Sequence, residues 1–456
     1  MKKGILLVSL LLTVVWGYGQ SAALEELLNT DGVKNAAVSV SVKRVNDGKE
    51  IVACNAEMAL TPASVAKILP TWFALQEKGV NYRYRTNIFY TGEIKDGVLS
   101  GDIIVSAAGD PTLDSRFFPH RSFVKNLVAA IQRAGIQHIG GRLLVEGAEK
   151  GTDIPGSWVW EDISNYYGAI YLPFNYRDNT CVFSFQTGVV GSVAKLISVY
   201  PALPGIEIQN EVKAAAANRD NAWVYGGPYS TVICVKGTLP ANRKSFKVKA
   251  ALHDPAMACI NELKAELSDK GIRVESNVFA DTTRTQLVYF DSPRLEEIVF
   301  HTNKASVNLF AEAMGKLAGG KEWQKEVSAL LVKAGINTQG ITLYDACGLS
   351  PLDALPARVL TDLLVYIGKR EHSAFLNSLP LGGVDGGLSG YCHAYPQLNK
   401  KLQAKTGSMS GVRSLSGYLT NNKGERLAFT ILINHYTCTV SQLQRAVGKF
   451  LSRLME

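Results

Sequence analysis

The fold class predicted for this chain is α/β, α+β in arrangement: one antiparallel sheet flanked by helices, with mostly β domains inserted. Three observations predict it. A strand-hairpin pattern stands near each end of the chain, helical patterns accompany both, and the long middle stretch alternates short β-like runs with turn residues. The two ends then form one parent domain, and the middle is an insertion.

The elements follow in order. Ala22 to Leu28 carries a short helical pattern. Ala37 to Val45 alternates apolar and polar residues, Asn46-Asp47-Gly48 turns, and Ile51 to Cys54 returns, which is a hairpin signal. Pro62 to Leu75 reads as a helix starting near Pro62, with a kink expected at Pro70, which has no N–H to donate. Lys78-Gly79 is its stop. Strand-like runs then appear at Thr86 to Thr91, Val98 to Ser106, Arg142 to Glu146, Thr180 to Gln186, Leu196 to Val199, Thr231 to Gly237 and Val274 to Ala280. Helical patterns at Phe123 to Ala134 and Pro255 to Lys270 interrupt them. From Pro293 helices return. Leu295 to Leu317 reads as one helix carrying Ser306 and Asn308, followed by Val327 to Ala334 and Pro356 to Lys369. Lys401 to Thr420 and Glu425 to His435 read as two strands around Asn421-Asn422-Lys423-Gly424, and an amphipathic helix, Gln442 to Leu454, closes the chain. The expected domains are 20–82 with 288–456 as the parent and 83–287 as the insertion, read as two nested mostly β domains.

Residues 1–19 read as a secretory signal: Lys2 and Lys3, an apolar stretch from Gly4 to Trp16, then Gly17 and Gly19 ahead of Gln20. The apolar run is shorter than the roughly 20 residues that span a bilayer. The mature chain is therefore expected outside the cytoplasm, in the periplasm or secreted, without a transmembrane segment. Its 46% hydrophobic content suits a globular protein with a large core. A net charge of +8 over 456 residues, with no Lys/Arg run, argues against nucleic-acid binding. The seven cysteines are scattered with no C-x-x-C pair, and the seven histidines show no ligand spacing, so neither a metal nor another cofactor is expected.

Three polar motifs carry the chemistry: Ser64-Val65-Ala66-Lys67, Ser306-Val307-Asn308 and Lys405-Thr406-Gly407-Ser408. Serine is a poor nucleophile until a neighbour takes its proton. Three residues along a helix from Ser64, Lys67 shares its face and serves as that base when neutral. Burial and a nearby cation such as Lys405 lower a lysine pKa. Ser306 is suited to bridge the two lysines and pass a proton to a leaving amine. Asn308 is suited to hold a substrate amide and position Lys67, and Lys405 with Thr406 to bind a carboxylate. The backbone N–H groups of Ser64 and Ser408 are candidates for an oxyanion hole. S-x-x-K also occurs at Ser122–Lys125 and Ser192–Lys195. Ser64 is favoured because Pro-Ala precedes it, an apolar helix follows it, and it lies in the parent domain.

In that order the motifs resemble the signature of penicillin-binding proteins and class A β-lactamases, with Val307 where the signature has Asp. Further stretches narrow the resemblance: Gly109-Asp110-Pro111-Thr112-Leu113, Trp158-Val159-Trp160-Glu161-Asp162, Asp254-Pro255-Ala256, Cys347-Gly348-Leu349-Ser350 and Gly383-Val384-Asp385-Gly386. With these the chain resembles the class C low-molecular-mass penicillin-binding proteins, the D-alanyl-D-alanine carboxypeptidase/endopeptidases of peptidase family S13. The resemblance implies a β-lactamase/transpeptidase-like parent domain and cleavage of peptidoglycan stem peptides through a Ser64 acyl-enzyme. It also implies covalent inhibition by β-lactam antibiotics. The alternatives are a β-lactamase-like hydrolase, against which the long insertion argues, and a non-catalytic peptidoglycan-binding protein, in which loss of Ser64, Lys67 or Lys405 is expected.

Overall fold

In the computed structural model, which describes residues 21–148, 154–228 and 230–456, two terminal hairpins share one sheet. The strands are β1 (Ala37–Arg44), β2 (Glu50–Cys54), β3 (Leu402–Met409), β4 (Val412–Thr420) and β5 (Arg426–Asn434), all antiparallel, in the order β3-β4-β5-β1-β2. The pairing of Val40 with Ile431 joins the two ends of the chain. All but the first residue of β5 is buried, which fits a strand covered on both sheet faces. Helices provide that cover. The closing helix Val440–Arg453 contributes Leu443, Val447, Phe450 and Leu451 to the same core as Val40, Leu415 and Ile431. Thr439 and Gln442 form a reciprocal capping box at its start. The helix Ala357–Lys369 buries Leu360, Leu363 and Leu364.

Three expectations about local structure need correction. The run from Lys401 to Thr420 is not one strand. The Ser410-Gly411 turn splits it into a tight hairpin, with Gly411 at φ 69, a conformation glycine adopts without cost. The segment from Leu295 to Leu317 is two helices, α2 (Leu295–Ala305) and α3 (Asn308–Gly319), broken where Ser306 takes φ 58. The α-helix does not start at Pro62 either. Residues Ala63–Lys67 form a 3-10 turn, and α1 runs only from Ile68 to Lys78. Pro70 thus falls in the first turn of α1, where a missing N–H deprives no intrahelical acceptor, so no kink is required.

The chain divides into two units. The first comprises residues up to Val80, Glu296–Val307 and Met314–Glu456, and the second Asn81–Leu295 and Asn308–Ala313. The second unit contains two apolar clusters. One packs Leu127 and Ile131 of the helix Phe123–Arg133 and Leu263 and Leu267 of Pro255–Asp269 with Ile88 and Ile103. The other gathers Phe183, Phe185, Val212, Val224, Val235 and Val248 from two three-stranded sheets. Its strands include Glu207–Ala215, Asn221–Tyr225 and Phe246–Ala251, which the hydropathy pattern did not mark, and the run at Val274 shrinks to Arg273–Val274. The signal assigned to residues 1–19 lies outside the described residues. Among the described residues no helix is long and apolar enough to cross a membrane.

Candidate active site

The 3-10 turn fixes the first pair. With three residues per turn, side chains at i and i+3 eclipse. Lys67 therefore stands over Ser64, and its Nζ donates to Ser64 Oγ at 2.8 Å and to the Cys347 carbonyl at 2.6 Å. Lys67 is fully buried, whereas Ser64 is only partly so. The Ser64 hydroxyl is reachable and the Lys67 amine is screened from water.

Ala63, just before Ser64, sits at φ 48. Such a conformation costs a non-glycine residue about 1–3 kcal/mol and persists only where neighbours impose it. Three neighbours do. Ser414 Oγ donates to the Pro62 carbonyl. A methyl group on Gly348 would lie 2.0 Å from the Ala63 carbonyl oxygen, and one on Gly407 2.7 Å from that of Pro62 and 3.0 Å from the Ser64 nitrogen. Glycine is needed at 348 and 407 because main chain packs against main chain.

The second pair comes from the break between α2 and α3 and from β3. Lys405 Nζ donates to Ser306 Oγ at 2.9 Å and to the Thr406 carbonyl at 2.8 Å. Lys405 is buried, and burial drives its pKa well below the ordinary 10.5, with the Lys67 charge adding to the effect. The two lysines thus belong to one electrostatic site.

β3 is an edge strand. At its start, Ala404 N–H donates to the Pro380 carbonyl and Gly382 N–H to Leu402. Main-chain groups of alternate residues point to the same side of a strand. Thr406 and Ser408 therefore turn their N–H and C=O groups to that same open side, beyond the 380–382 segment. Thr406 is half-buried and Ser408 exposed. The loop 382–387 lies alongside: a methyl on Gly387 would sit 3.8 Å from Thr406 Oγ1, and Asp385 pairs with Lys304 at 2.8 Å.

Asn308 opens α3 within the second unit, where its amide donates to the Tyr167 carbonyl at 2.7 Å. Tyr167 in turn donates its hydroxyl to Asp162 at 2.8 Å. The other S-x-x-K copies are built differently. Ser122 stands at the N-cap position of the helix Phe123–Arg133, whose first N–H groups donate to Asp114, and Ser192 Oγ donates to the Val189 carbonyl ahead of the strand Lys195–Tyr200. Sequence reasoning missed the Cys347 carbonyl as a partner of Lys67, since main-chain acceptors leave no signal in residue type. The Cys347 side chain is buried.

A family model described as the D-Ala-D-Ala carboxypeptidase 3 (S13) family matches residues 20–454. The D-alanyl-D-alanine carboxypeptidase DacB of Haemophilus influenzae is 26% identical over 425 residues, covering 88% of this chain and 86% of that one. The D-alanyl-D-alanine carboxypeptidase of Actinomadura sp. is 26% identical over 455 residues, covering 91% and 80%. The crystal structure of Haemophilus influenzae penicillin binding protein 4 (dacB) superposes with a TM-score of 0.78 at 25% identity, covering 95% of this chain and 98% of that one. Its complex with a novel β-lactam gives 0.73 at 24% identity, over the same shares of the two chains.

Proposed function

The chain belongs to the D-Ala-D-Ala carboxypeptidase 3 (S13) family, and from that premise we propose that Ser64 is the nucleophile through which it cleaves peptidoglycan stem peptides. The coarse activity follows from membership: a serine-type D-Ala-D-Ala carboxypeptidase and penicillin-binding protein. The observation that carries the mechanism is the 2.8 Å contact between the Ser64 hydroxyl and the buried Lys67 amine.

With Lys67 neutral, that contact reverses its sense and Nζ accepts the hydroxyl proton. Ser64 Oγ bonds to the carbonyl carbon between the two D-alanines, and the carbonyl oxygen becomes an oxyanion. The N–H groups of Ser64 and Ser408 receive it, one from the 3-10 turn and one from the open side of β3. The C–N bond then breaks. The leaving D-alanine nitrogen takes the proton that Lys67 accepted, relayed by way of Ser306, whose hydroxyl is held by Lys405. Lys405 and Thr406 bind the substrate carboxylate, Gly407 lets β3 lie against Ser64, and Asn308 holds the substrate amide. Water then attacks the ester carbonyl and gives a proton to Lys67; the C–Oγ bond breaks, the carboxylic acid product leaves, and Lys67 passes that proton to Ser64 Oγ. No cofactor enters these steps. β-Lactams acylate the same hydroxyl.

The finer assignments extend this reading. The same attack on a D-Ala–diaminopimelate cross-link makes the chain an endopeptidase as well. Residues 1–19 direct export, placing the mature protein beside its substrate. Residues 83–287 form two nested domains, a division supported by their two separate apolar clusters. Purified sacculi incubated with the protein and analysed by mass spectrometry test the activity. Free D-alanine is expected from carboxypeptidase action, and conversion of cross-linked dimers to monomers from endopeptidase action. If neither product exceeds that formed by Ser64→Ala, the proposal fails.

A further inference from the structure

We propose that Asp345 is a positioning residue for the Lys67 amine, acting through the main chain of residues 345–350; the inference rests on Lys67 being the base. The Asp345 carboxylate is 1% exposed. It accepts four successive main-chain N–H groups: Cys347 at 3.0 Å and Gly348 at 2.5 Å on Oδ1, Leu349 at 2.9 Å and Ser350 at 2.6 Å on Oδ2. Each carboxylate oxygen receives two of these donors. Four on one buried carboxylate give the loop a single shape.

That shape delivers one group to the site. The Cys347 residue is held at both ends, its N–H by Asp345 and its carbonyl by Lys67 Nζ at 2.6 Å. The next residue, Gly348, stands at φ 74, and its α-carbon packs so closely on the Ala63 carbonyl that a methyl would meet that oxygen at 2.0 Å. One loop therefore touches both the residue before the nucleophile and the base. The Cys347 carbonyl and Ser64 Oγ together aim the Lys67 amine. If the carbonyl moves, the amine swings out of line with the hydroxyl while the surfaces that bind the substrate carboxylate stay in place. A displacement of about 1 Å at a reacting group costs on the order of 10²-fold in rate.

A loop can also be tied down for stability alone, and Asp353 supplies the comparison. It is equally buried and accepts the Tyr344 N–H at 2.7 Å, a bond that uses no N–H of residues 345–350. The experiment separates the acylation rate constant for benzylpenicillin from the preceding non-covalent dissociation constant, alongside the thermal midpoint, in Asp345→Asn and Asp353→Asn. Asn at 345 turns an NH2 toward two of the four donors. Asp345→Asn is expected to lower the acylation rate constant by about tenfold to 10²-fold with the dissociation constant unchanged. Asp353→Asn is expected to lower the midpoint and leave the rate constant alone. If Asp345→Asn fails to fold, Asp345→Glu, which keeps the charge and shifts it by one methylene, carries the same comparison. An unchanged rate constant in a folded Asp345 variant overturns the inference, and so does an equal loss in both variants. Lys67→Arg acylated at the wild-type rate would instead show that the assignment of the base is wrong.

Discussion

In the proposed mechanism Lys67 and Lys405 set the chemistry, and both are buried and electrostatically coupled. Two ammonium ions cannot both be buried cheaply, so the pair releases a proton more readily than a solvated lysine does. For Lys405, burial and then the Lys67 charge hold the pKa well below 10.5. The folded chain thus gives up that proton at lower pH than the unfolded chain. The stability penalty is complete below the folded value and is relieved as pH rises through the interval up to the unfolded one. Lys405→Met removes the buried amine and keeps its bulk. It is expected to raise the thermal midpoint at neutral pH by roughly 2–4 °C while abolishing acylation. A calorimetric scan paired with a penicillin-binding assay checks both halves, and a lower midpoint contradicts the account. The sequence made these two lysines legible because amine and hydroxyl chemistry is written in residue type. It left the Cys347 carbonyl and the Asp345 clamp silent, since a loop brings them in and a main-chain oxygen belongs to every residue.

At the scale of elements, the site depends on backbone approach. The 3-10 turn stacks Lys67 on Ser64, the break at Ser306 presents its hydroxyl, and Gly407 lets β3 lie against the turn. A methyl at 407 would come within 2.0 Å of Ser414 Oγ and press on the Pro62 carbonyl and the Ser64 nitrogen. Gly407→Ala is therefore expected to reduce acylation by about 10²-fold or more with the fold retained, because it displaces Ser64, the proposed nucleophile and oxyanion donor. Stopped-flow acylation with a fluorescent penicillin reads this directly. Near wild-type kinetics would mean that the close approach does not matter. Hydropathy placed the helices and strands here but misjudged their joints. A continuous helical period runs through residues 295–317, and nothing in it marks Ser306 as left-handed. Likewise, Pro62 and the apolar run after Ser64 suit an α-helix as well as a 3-10 entry.

At the scale of the whole molecule, the two chain ends build one sheet, and most of the residues between them in sequence belong to the second unit. That outline was readable because hairpin and helix patterns repeat at both ends. Several strands of the second unit were not, since half-exposed strands such as Glu207–Ala215 break the apolar alternation with adjacent polar residues, Gln209-Asn210-Glu211. The second unit also buries an acid. Asp110 is enclosed, and burial lifts its carboxyl from 3.8 to about 6 against the opposing hydrogen bonds from Thr112. The folded state keeps that proton between 3.8 and about 6, where the unfolded chain has lost it. Stability therefore falls as pH rises through this window and stays reduced above it. Asp110→Asn, which can still accept from Thr112, is expected to be stabilising at pH 7 and neutral near pH 3.5. Thermal midpoints at the two pH values test this; equal shifts at both contradict it.

The central claim is that one hydroxyl, on Ser64, takes the acyl group. Intact-protein mass spectrometry after benzylpenicillin, followed by peptide mapping, tests it most directly. The account predicts a single penicilloyl adduct on the peptide containing Ser64 and none on Ser64→Ala. An adduct that maps elsewhere, or that persists in Ser64→Ala, would contradict it.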